Sequence, residues 1–136
     1  MSTGTFVFRK GKKGDKPTPG WCAPLTGEEK EEGDLPDFVL ELDGKQVAAA
    51  STEAENHIFL IGSYIQNKGY GTKFLEEWEK YATAKGYSEV IVSQVCSDPL
   101  EHILDKLGYS FVLDEFNEKT YHKKLKSYPQ QETVRL

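Results

Sequence analysis

The chain has 136 residues, of which 38% are hydrophobic and 29% are charged, and its formal net charge at pH 7 is -5. This length accommodates one domain with a single core, and the acidic balance excludes the broad basic face that nucleic-acid binding requires. No stretch reaches the roughly 20 apolar residues of a membrane span, and the N-terminus lacks the apolar segment of a secretory signal, so we expect a cytoplasmic protein.

The N-terminal part of the chain is polar. Residues 5–9 form a short strand candidate, and residues 10–34 are rich in glycine, lysine, proline and glutamate without apolar periodicity. Such a composition cannot bury enough apolar area to offset its ordering entropy, so we predict a polar loop without helix at residues 10–34. Residues 127–136 are predicted to be a polar tail of the same single domain, which spans residues 1–136.

Two apolar runs at residues 38–42 and 47–50 predict a β-hairpin. They are separated by Asp43 and Gly44, which favour the positive φ angles of a tight turn. Polar residues 51–56 are predicted to connect the hairpin to a third strand. This strand, at residues 58–61, is continuously apolar, and we therefore expect it to be buried on both faces.

Residues 72–85 predict an amphipathic helix, because their apolar side chains recur at intervals of three and four residues. Gly86 follows, where the end of a helix favours left-handed backbone. A buried strand at residues 90–95 comes next, and the short connection predicts a right-handed crossover that pairs it in parallel with the strand before the helix. The apolar stripe of the helix consists of Phe74, Leu75, Trp78, Tyr81 and Ala82.

A second helix is predicted to start at Asp98, which can cap the helix N-terminus. Pro99 then occupies the first helical position, and Glu101 lies three residues after the cap. Gly108 ends this helix. Residues 111–113 and 120–125 predict a closing antiparallel hairpin, and we expect this exposed hairpin to allow a homodimer. The buried stripe of the second helix consists of Leu100, Ile103, Leu104 and Leu107.

The segment before the first helix reads QNKGYG, at residues 66–71. The first turn of a helix has unpaired backbone N–H groups and the positive end of the helix dipole, and glycines let an anion approach the backbone closely. Lys68 adds a positive charge. Two glycines also suit an ordinary turn, and their spacing is neither that of a dinucleotide fingerprint nor that of a P-loop. The residues alone leave both interpretations open.

QNKGYG resembles the coenzyme A-binding motif Gln/Arg-x-x-Gly-x-Gly/Ala of the GCN5-related N-acetyltransferases (GNAT). The flanking segments also resemble that family: FVLELDGKQVAAAS its second and third strands, IFLIGSYIQ its fourth, TKFLEEWEKYATAKGY the following helix, SEVIVSQV its fifth strand and HILDKLGYSF its closing helix. The resemblance covers residues 37–125. It implies an α/β fold, with a mixed, twisted sheet whose splayed fourth and fifth strands are flanked by helices. It also implies an acetyl-coenzyme A-dependent N-acetyltransferase whose acceptor is an amine of a small molecule, peptide or protein.

The resemblance also assigns coenzyme A to residues 66–71, which we call the glycine loop, and to the strand before them. Backbone amides of residues 67–72 would hold the pyrophosphate, while Gln66 and Lys68 take the first and third motif positions. The strand would pair with the pantetheine arm, and Ser97 stands where the family often has a cofactor-contacting asparagine. The implied cofactor-binding residues are Leu60, Ile61, Gly62, Gln66, Asn67, Lys68, Gly69, Tyr70, Gly71, Thr72 and Ser97.

Amine attack on an acetyl thioester requires a base for the ammonium group and hydrogen-bond donors for the oxyanion. The resemblance places the donor on the backbone N–H of Ile61 or of its neighbour. It places the base at or near the fourth strand, where Glu53, Glu55 and His57 are the candidates, with Glu55 the first choice. No metal ligand is implied.

The thiolate leaving group requires an acid, and here the chain departs from the family. Leu104 stands where the family commonly has a tyrosine that acts as the general acid. Tyr109, Cys96 and Ser97 are candidates to replace it, and we select Tyr109 as the catalytic candidate. Leu104 and the polar loop at residues 10–34, which takes the place of the family's first two helices, favour an alternative. In that alternative the chain is a non-catalytic GNAT-fold module that binds coenzyme A or a protein.

Overall fold

A computed structural model describes residues 4–16, 18, 36–64, 68–95, 98–115 and 117–125. The elements in chain order are β1 (Phe6–Lys10), β2 (Phe38–Leu42), β3 (Lys45–Ala54), β4 (His57–Ser63), α1 (Tyr70–Ala84), β5 (Glu89–Val95), α2 (Asp98–Lys106), β6 (Ser110–Leu113) and β7 (Lys119–Lys124). The strands of these residues form one sheet in the order β1-β2-β3-β4-β5-β7-β6. β4 and β5 run parallel, and the other neighbours run antiparallel. The predicted mixed α/β sheet is therefore confirmed.

Both helices pack on the same face of the sheet. Leu100 and Leu104 of α2 belong to one apolar cluster with the buried side chains of α1. Beneath α1, β3 contributes Ala48 and Ala50, which are fully buried and whose small side chains let the helix lie close to the sheet. The α1 side chains in this core are Phe74, Leu75, Trp78 and Ala82.

The opposite face of the sheet is also covered over β2 and β3. Val39 and Ala49 are fully buried, although neither belongs to the cluster under the helices. On this face Thr18 Oγ1 lies 3.0 Å from Ser51 Oγ, and both residues are buried. Thr18 therefore packs against β3 on the side away from the helices.

The predicted turns and helix ends form as expected. Asp43 and Gly44 have φ angles of 53° and 84°, which produce the tight turn between β2 and β3. Asn117, with a φ of 66°, lies in the turn between β6 and β7. Gly86 and Gly108 end the two helices with φ angles of 95° and 96°. Helices, hairpins and the parallel crossover are thus confirmed, with shifts of one or two residues at most of their bounds and of four residues at the carboxyl end of β3.

The connection predicted at residues 51–56 is wrong in part. β3 continues to Ala54, because Ser51 and Thr52 pair with Leu60 and Ile58 of β4. Of the predicted polar loop, the structure describes residues 10–16 and 18, and no helix occurs in them. The predicted tail at residues 127–136 lies outside the described residues. Neither helix of the described chain is long and apolar enough to cross a membrane.

Candidate acetyl donor site

β4 and β5 diverge along their length. In the part of the chain that the structure describes, they pair through His57↔Ile91 and Ile58↔Val92 and no further. Both strands nevertheless continue, β4 to Ser63 and β5 to Val95. A slot therefore opens between them toward their carboxyl ends, as the family resemblance implied.

A bulge in β4 lies where the slot begins. Between the pairs Ser51↔Leu60 and Thr52↔Ile58, the residue Phe59 is extra on β4. The extra residue interrupts the alternation of faces, so Phe59 and Leu60 are both only partly buried. The prediction that β4 is buried on both faces is therefore wrong. A bulge bends its strand and increases the twist, which favours the divergence of β4 from β5.

The amino terminus of α1 lies at the carboxyl end of β4, where the slot is open. Gly69 adopts left-handed backbone with a φ of 78°, and its carbonyl accepts a hydrogen bond of 3.0 Å from the N–H of Lys73. Among the described residues no side chain caps this terminus, and the first turn holds no acidic residue. Lys68 is exposed beside it. The free N–H groups, the helix dipole and the lysine together favour an anion at this point.

Tyr64, which directly follows β4, is held in place by two hydrogen bonds. The hydroxyl of Tyr64 accepts a hydrogen bond of 2.6 Å from Gln46 Nε2 and donates one of 3.0 Å to the carbonyl of Lys16. Burial raises the pKa of Tyr64, so its hydroxyl remains a donor at physiological pH. Sequence reasoning missed these contacts of Tyr64, because Gln46 and Lys16 are distant from it along the chain.

The described residues that were predicted to bind coenzyme A lie along the slot and at its open end. Those on β4 follow the slot, and those at the start of α1 surround the uncapped terminus. Three predicted positions, Gln66, Asn67 and Ser97, lie outside the described residues. The described ones are Leu60, Ile61 and Gly62 on β4 and Lys68, Gly69, Tyr70, Gly71 and Thr72 around the start of α1.

Comparison with known proteins supports this arrangement at the level of the fold. No protein-family model and no curated protein matches the sequence, but solved structures match. A GCN5-related N-acetyltransferase from Rhodopseudomonas palustris has 24% identity and a TM-score of 0.50, with 65% of this chain and 60% of that chain covered. The ribosomal-protein-S18-alanine N-acetyltransferase from Escherichia coli has 14% identity and a TM-score of 0.57, with 89% and 93% covered. A polyamine N-acetyltransferase from Drosophila melanogaster, which forms N-acetylagmatine, has 13% identity and a TM-score of 0.55, with 89% and 100% covered.

The chain has the GNAT fold. Identity to these structures does not exceed 24%, so the likeness establishes the fold and not the reaction. The chain spans 60% of the length of the Rhodopseudomonas palustris protein.

Glu55 lies in the turn before β4, at the end opposite the glycine loop of this GNAT fold. Its carboxylate accepts hydrogen bonds from Lys10 Nζ at 2.7 Å, from the Tyr81 hydroxyl at 2.8 Å and from the Tyr87 hydroxyl at 3.3 Å. The hydrogen bonds from Lys10 and Tyr81 lower the pKa of Glu55 to about 2. A carboxylate held in this way is a weak proton acceptor. Its position and its partners argue against the prediction of Glu55 as general base.

Tyr109 follows the end of α2 and is buried away from the open end of the slot. Its hydroxyl donates a 2.9 Å hydrogen bond to Glu79 Oε2, and Glu79 Oε1 accepts another of 2.9 Å from Lys123 Nζ. Burial and the negative charge of Glu79 raise the pKa of Tyr109. These bonds join α1 to β7, so the geometry argues against Tyr109 as the acid. Leu104 is fully buried in the core, and the other two acid candidates, Cys96 and Ser97, lie outside the described residues.

His57 is the base candidate that the GNAT fold brings to the slot. Its Nε2 lies 2.9 Å from Ser93 Oγ, which joins β4 to β5 immediately beyond their last pair. Both side chains are partly buried, whereas the third candidate, Glu53, is exposed on β3. Sequence reasoning did not single out Ser93, because its proximity to His57 depends on the register between two strands that are separated by a helix.

Proposed function

We propose that this chain binds acetyl-coenzyme A and transfers its acetyl group to an amine of a small molecule, peptide or protein. One observation carries the proposal: the slot between β4 and β5 opens at the same end of the sheet as the uncapped, acid-free amino terminus of α1. A diphosphate suits such a terminus. An extended arm with amide groups suits the backbone edges of two diverging strands, which offer hydrogen-bond donors and acceptors.

The donor set of the described residues fits this substrate. Lys68 and the first backbone N–H groups of α1 would hold the pyrophosphate, and the backbone of Leu60, Ile61 and Gly62 would pair with the pantetheine arm. A backbone N–H of β4 beside the bulge would stabilise the oxyanion that forms when the amine attacks the carbonyl carbon. These roles use backbone groups, which explains how a chain with little sequence identity to its structural neighbours can keep them.

A charge change at Gly69 tests the anion site. A Cβ at this position meets no atom within 4 Å, and Asp and Asn tolerate left-handed backbone better than other residues do. Gly69→Asp and Gly69→Asn therefore form a matched pair that differs by one negative charge. Repulsion between that charge and a phosphate is worth about 1 to 4 kcal/mol, so we expect Gly69→Asp to bind acetyl-coenzyme A roughly fivefold to several hundredfold more weakly than Gly69→Asn.

Isothermal titration calorimetry with acetyl-coenzyme A provides the measurement, and circular dichroism checks that both variants fold. Equal affinity of the two variants would mean that the anion does not bind at α1. The absence of any binding to the native chain would overturn the proposed function as a whole.

A second candidate function is a GNAT-fold module that binds coenzyme A without turnover. The observation that favours it is Leu104, which is buried in the core at the position where the family commonly has a tyrosine as general acid. Release of free thiol from acetyl-coenzyme A separates the two functions. The amines to test include agmatine and a peptide with N-terminal alanine, which correspond to the names of the structural neighbours. Binding without thiol release for every amine would favour the non-catalytic module.

A further inference from the structure

The side chains of His57 and Ser93 lie on the sheet face opposite the two helices. Ile58 and Val92, which are adjacent to them in sequence and pair across the two strands, point into the core under the helices. Because successive residues of a strand point to opposite faces, His57 and Ser93 point away from α1 and α2. They are therefore located at the base of the slot, on the side where an acceptor can approach without meeting the helices.

The imidazole of His57 is oriented toward the slot. Its Nε2 reaches forward to Ser93 Oγ, at 2.9 Å, and Ser93 is the first residue of β5 beyond the paired region. Within the described chain, this is the hydrogen bond that the imidazole makes. A histidine nitrogen in contact with a hydroxyl is the usual arrangement for moving a proton at an active site.

We propose that His57 and Ser93 together accept the proton of the acceptor amine, with Ser93 Oγ in contact with the amine and His57 Nε2 as the final acceptor. This inference rests on the proposed function. It adds that the amine reaches the thioester from the sheet face opposite α1 and α2, while the acyl donor lies between β4 and β5.

The ammonium group of the acceptor gives one proton to Ser93 Oγ as the hydroxyl proton of Ser93 moves to His57 Nε2. The neutral nitrogen then forms a bond to the carbonyl carbon of the thioester, and the C–S bond breaks with its electron pair remaining on sulfur. The second proton of the attacking nitrogen neutralises the thiolate. His57 afterwards releases its proton to water, so the products are an amide, a thiol and one proton.

The other titratable groups near His57 are either exposed or paired with each other. Glu53 is exposed on β3. Glu89 of β5 lies 3.4 Å from His122 Nδ1 of β7, so these two groups form a pair with each other. His122 pairs with Ile91, the residue that also pairs with His57 on its other side. His122 is thus one strand farther from the slot and provides a matched control for His57.

The test compares His57→Gln and Ser93→Ala with the control His122→Gln in steady-state kinetics and calorimetry. We expect all three variants to bind acetyl-coenzyme A as the native chain does, because none of the changes is at the anion site. General-base catalysis contributes roughly 100-fold to 10,000-fold, so we expect kcat to fall by at least about 100-fold in His57→Gln and to fall clearly in Ser93→Ala. The His122→Gln control should keep the native kcat.

The pH profile distinguishes a catalytic effect from a structural one. Without its proton acceptor, His57→Gln depends on amine that is already neutral in solution. Its kcat/KM should therefore rise about tenfold per pH unit up to the pKa of the amine, because the neutral fraction rises in that proportion. A loss of structure would lower the rate equally at every pH and would weaken binding of the acyl donor.

Three results would overturn the inference. Native kcat and pH profile in His57→Gln would remove His57 from the reaction while leaving the proposed function intact. An acetyl group found on Ser93 by mass spectrometry would replace direct attack with a covalent route. If the native chain releases no thiol with any amine, the proposed function fails and this inference fails with it.

Discussion

Glu55 connects three parts of the fold through one carboxylate. Its partners are Lys10 at the end of β1, Tyr81 on α1 and Tyr87 in the connection to β5. The Lys10 ammonium also lies 5.8 Å from the centre of the Tyr81 ring. In addition, the backbone carbonyl of Glu55 accepts a hydrogen bond of 2.9 Å from Trp78 Nε1. We infer that Glu55 stabilises the end of the sheet away from the slot.

We predict that Glu55→Gln lowers the melting temperature at pH 7 because it removes the ion pair with Lys10. The pKa of Glu55 is lowered from 4.5 to about 2 in the folded chain, so its stabilisation is complete above pH 4.5 and is lost as the pH falls toward about 2. The difference between native chain and variant should therefore be largest at pH 5 to 7 and clearly smaller at pH 3. Thermal unfolding followed by circular dichroism measures it.

Glu53→Gln is the control for this prediction, because Glu53 is exposed on β3 and makes no ion pair with the described residues. It should melt as the native chain does at each pH. A Glu55→Gln variant whose melting temperature differs from the native value by the same amount at pH 3 and pH 7 would show that the carboxylate charge is not responsible.

The positions predicted for catalysis show how far site prediction from this sequence extends. Glu55 is a reasonable choice for a base because it lies directly before β4. Its carboxylate, however, is held in an ion pair by Lys10, which lies 45 residues away along the chain. Tyr109 lies next to the end of α2, yet its hydroxyl bonds to Glu79 on α1. Chain position identifies the element that carries a side chain and cannot identify what that side chain contacts across the core.

Local sequence patterns predicted the helices, strands and turns well. The stripe of α1 follows from its apolar spacing, and the turn between β2 and β3 follows from Asp43 and Gly44, because few residue pairs adopt two successive positive φ angles. The bulge at Phe59 could not be predicted. A continuous apolar run does not show whether its residues are buried on one face of the sheet or on both. The register with β3 determines which of these occurs.

The position of α1 on the sheet depends on the small residues beneath it. Ala48 and Ala50 of β3 are fully buried in the same cluster as Trp78, the largest fully buried side chain among the described residues. Larger side chains on this part of β3 would push α1 outward. Since the uncapped terminus of α1 is the proposed anion site, the packing under the helix also sets the geometry of that site.

We predict that Ala50→Leu destabilises the chain by about 1 to 3 kcal/mol, the usual effect of overpacking a core, and weakens the binding of acetyl-coenzyme A. Urea unfolding and calorimetry measure the two effects. Ala54 lies at an exposed position of the same strand, so Ala54→Leu serves as the control. The stability of this variant should stay within about 0.5 kcal/mol of the native value. If Ala50→Leu is clearly destabilised but binds acetyl-coenzyme A with native affinity, the packing under α1 does not set the geometry of the anion site.

The two edges of the sheet differ in how they are protected against pairing with another chain. β1 carries Arg9, which pairs with Asp15 at 2.8 Å and with Glu41 at 2.7 Å. β6 contains no charged residue, and its apolar side chains are exposed, Phe111 by 45%, Val112 by 54% and Leu113 by 55%. Natural proteins usually protect an edge strand with charges, prolines or bulges. None of these occurs within β6.

The backbone of β6 is suited to pairing with a second copy of itself. Asp114 donates its N–H to the carbonyl of Glu118 at 2.9 Å. By the alternation of an antiparallel ladder, Val112 then bonds toward β7, and Phe111 and Leu113 direct their backbone groups to the open edge. Two copies related by a two-fold axis at Val112 would pair Phe111 of each with Leu113 of the other. We therefore propose that the expected homodimer forms through β6.

We predict that Val112→Lys abolishes this association, because the two lysines would lie directly opposite each other across the two-fold axis and like charges there are destabilising. Since the backbone groups of Val112 face β7, the hairpin itself should remain intact. Sedimentation velocity over a range of protein concentrations measures the effect. Val7→Lys is the matched control, because Val7 is 45% exposed on the other edge strand, and it should associate as the native chain does. A native chain that stays monomeric at every concentration, or equal behaviour of the two variants, would rule out β6 as the interface.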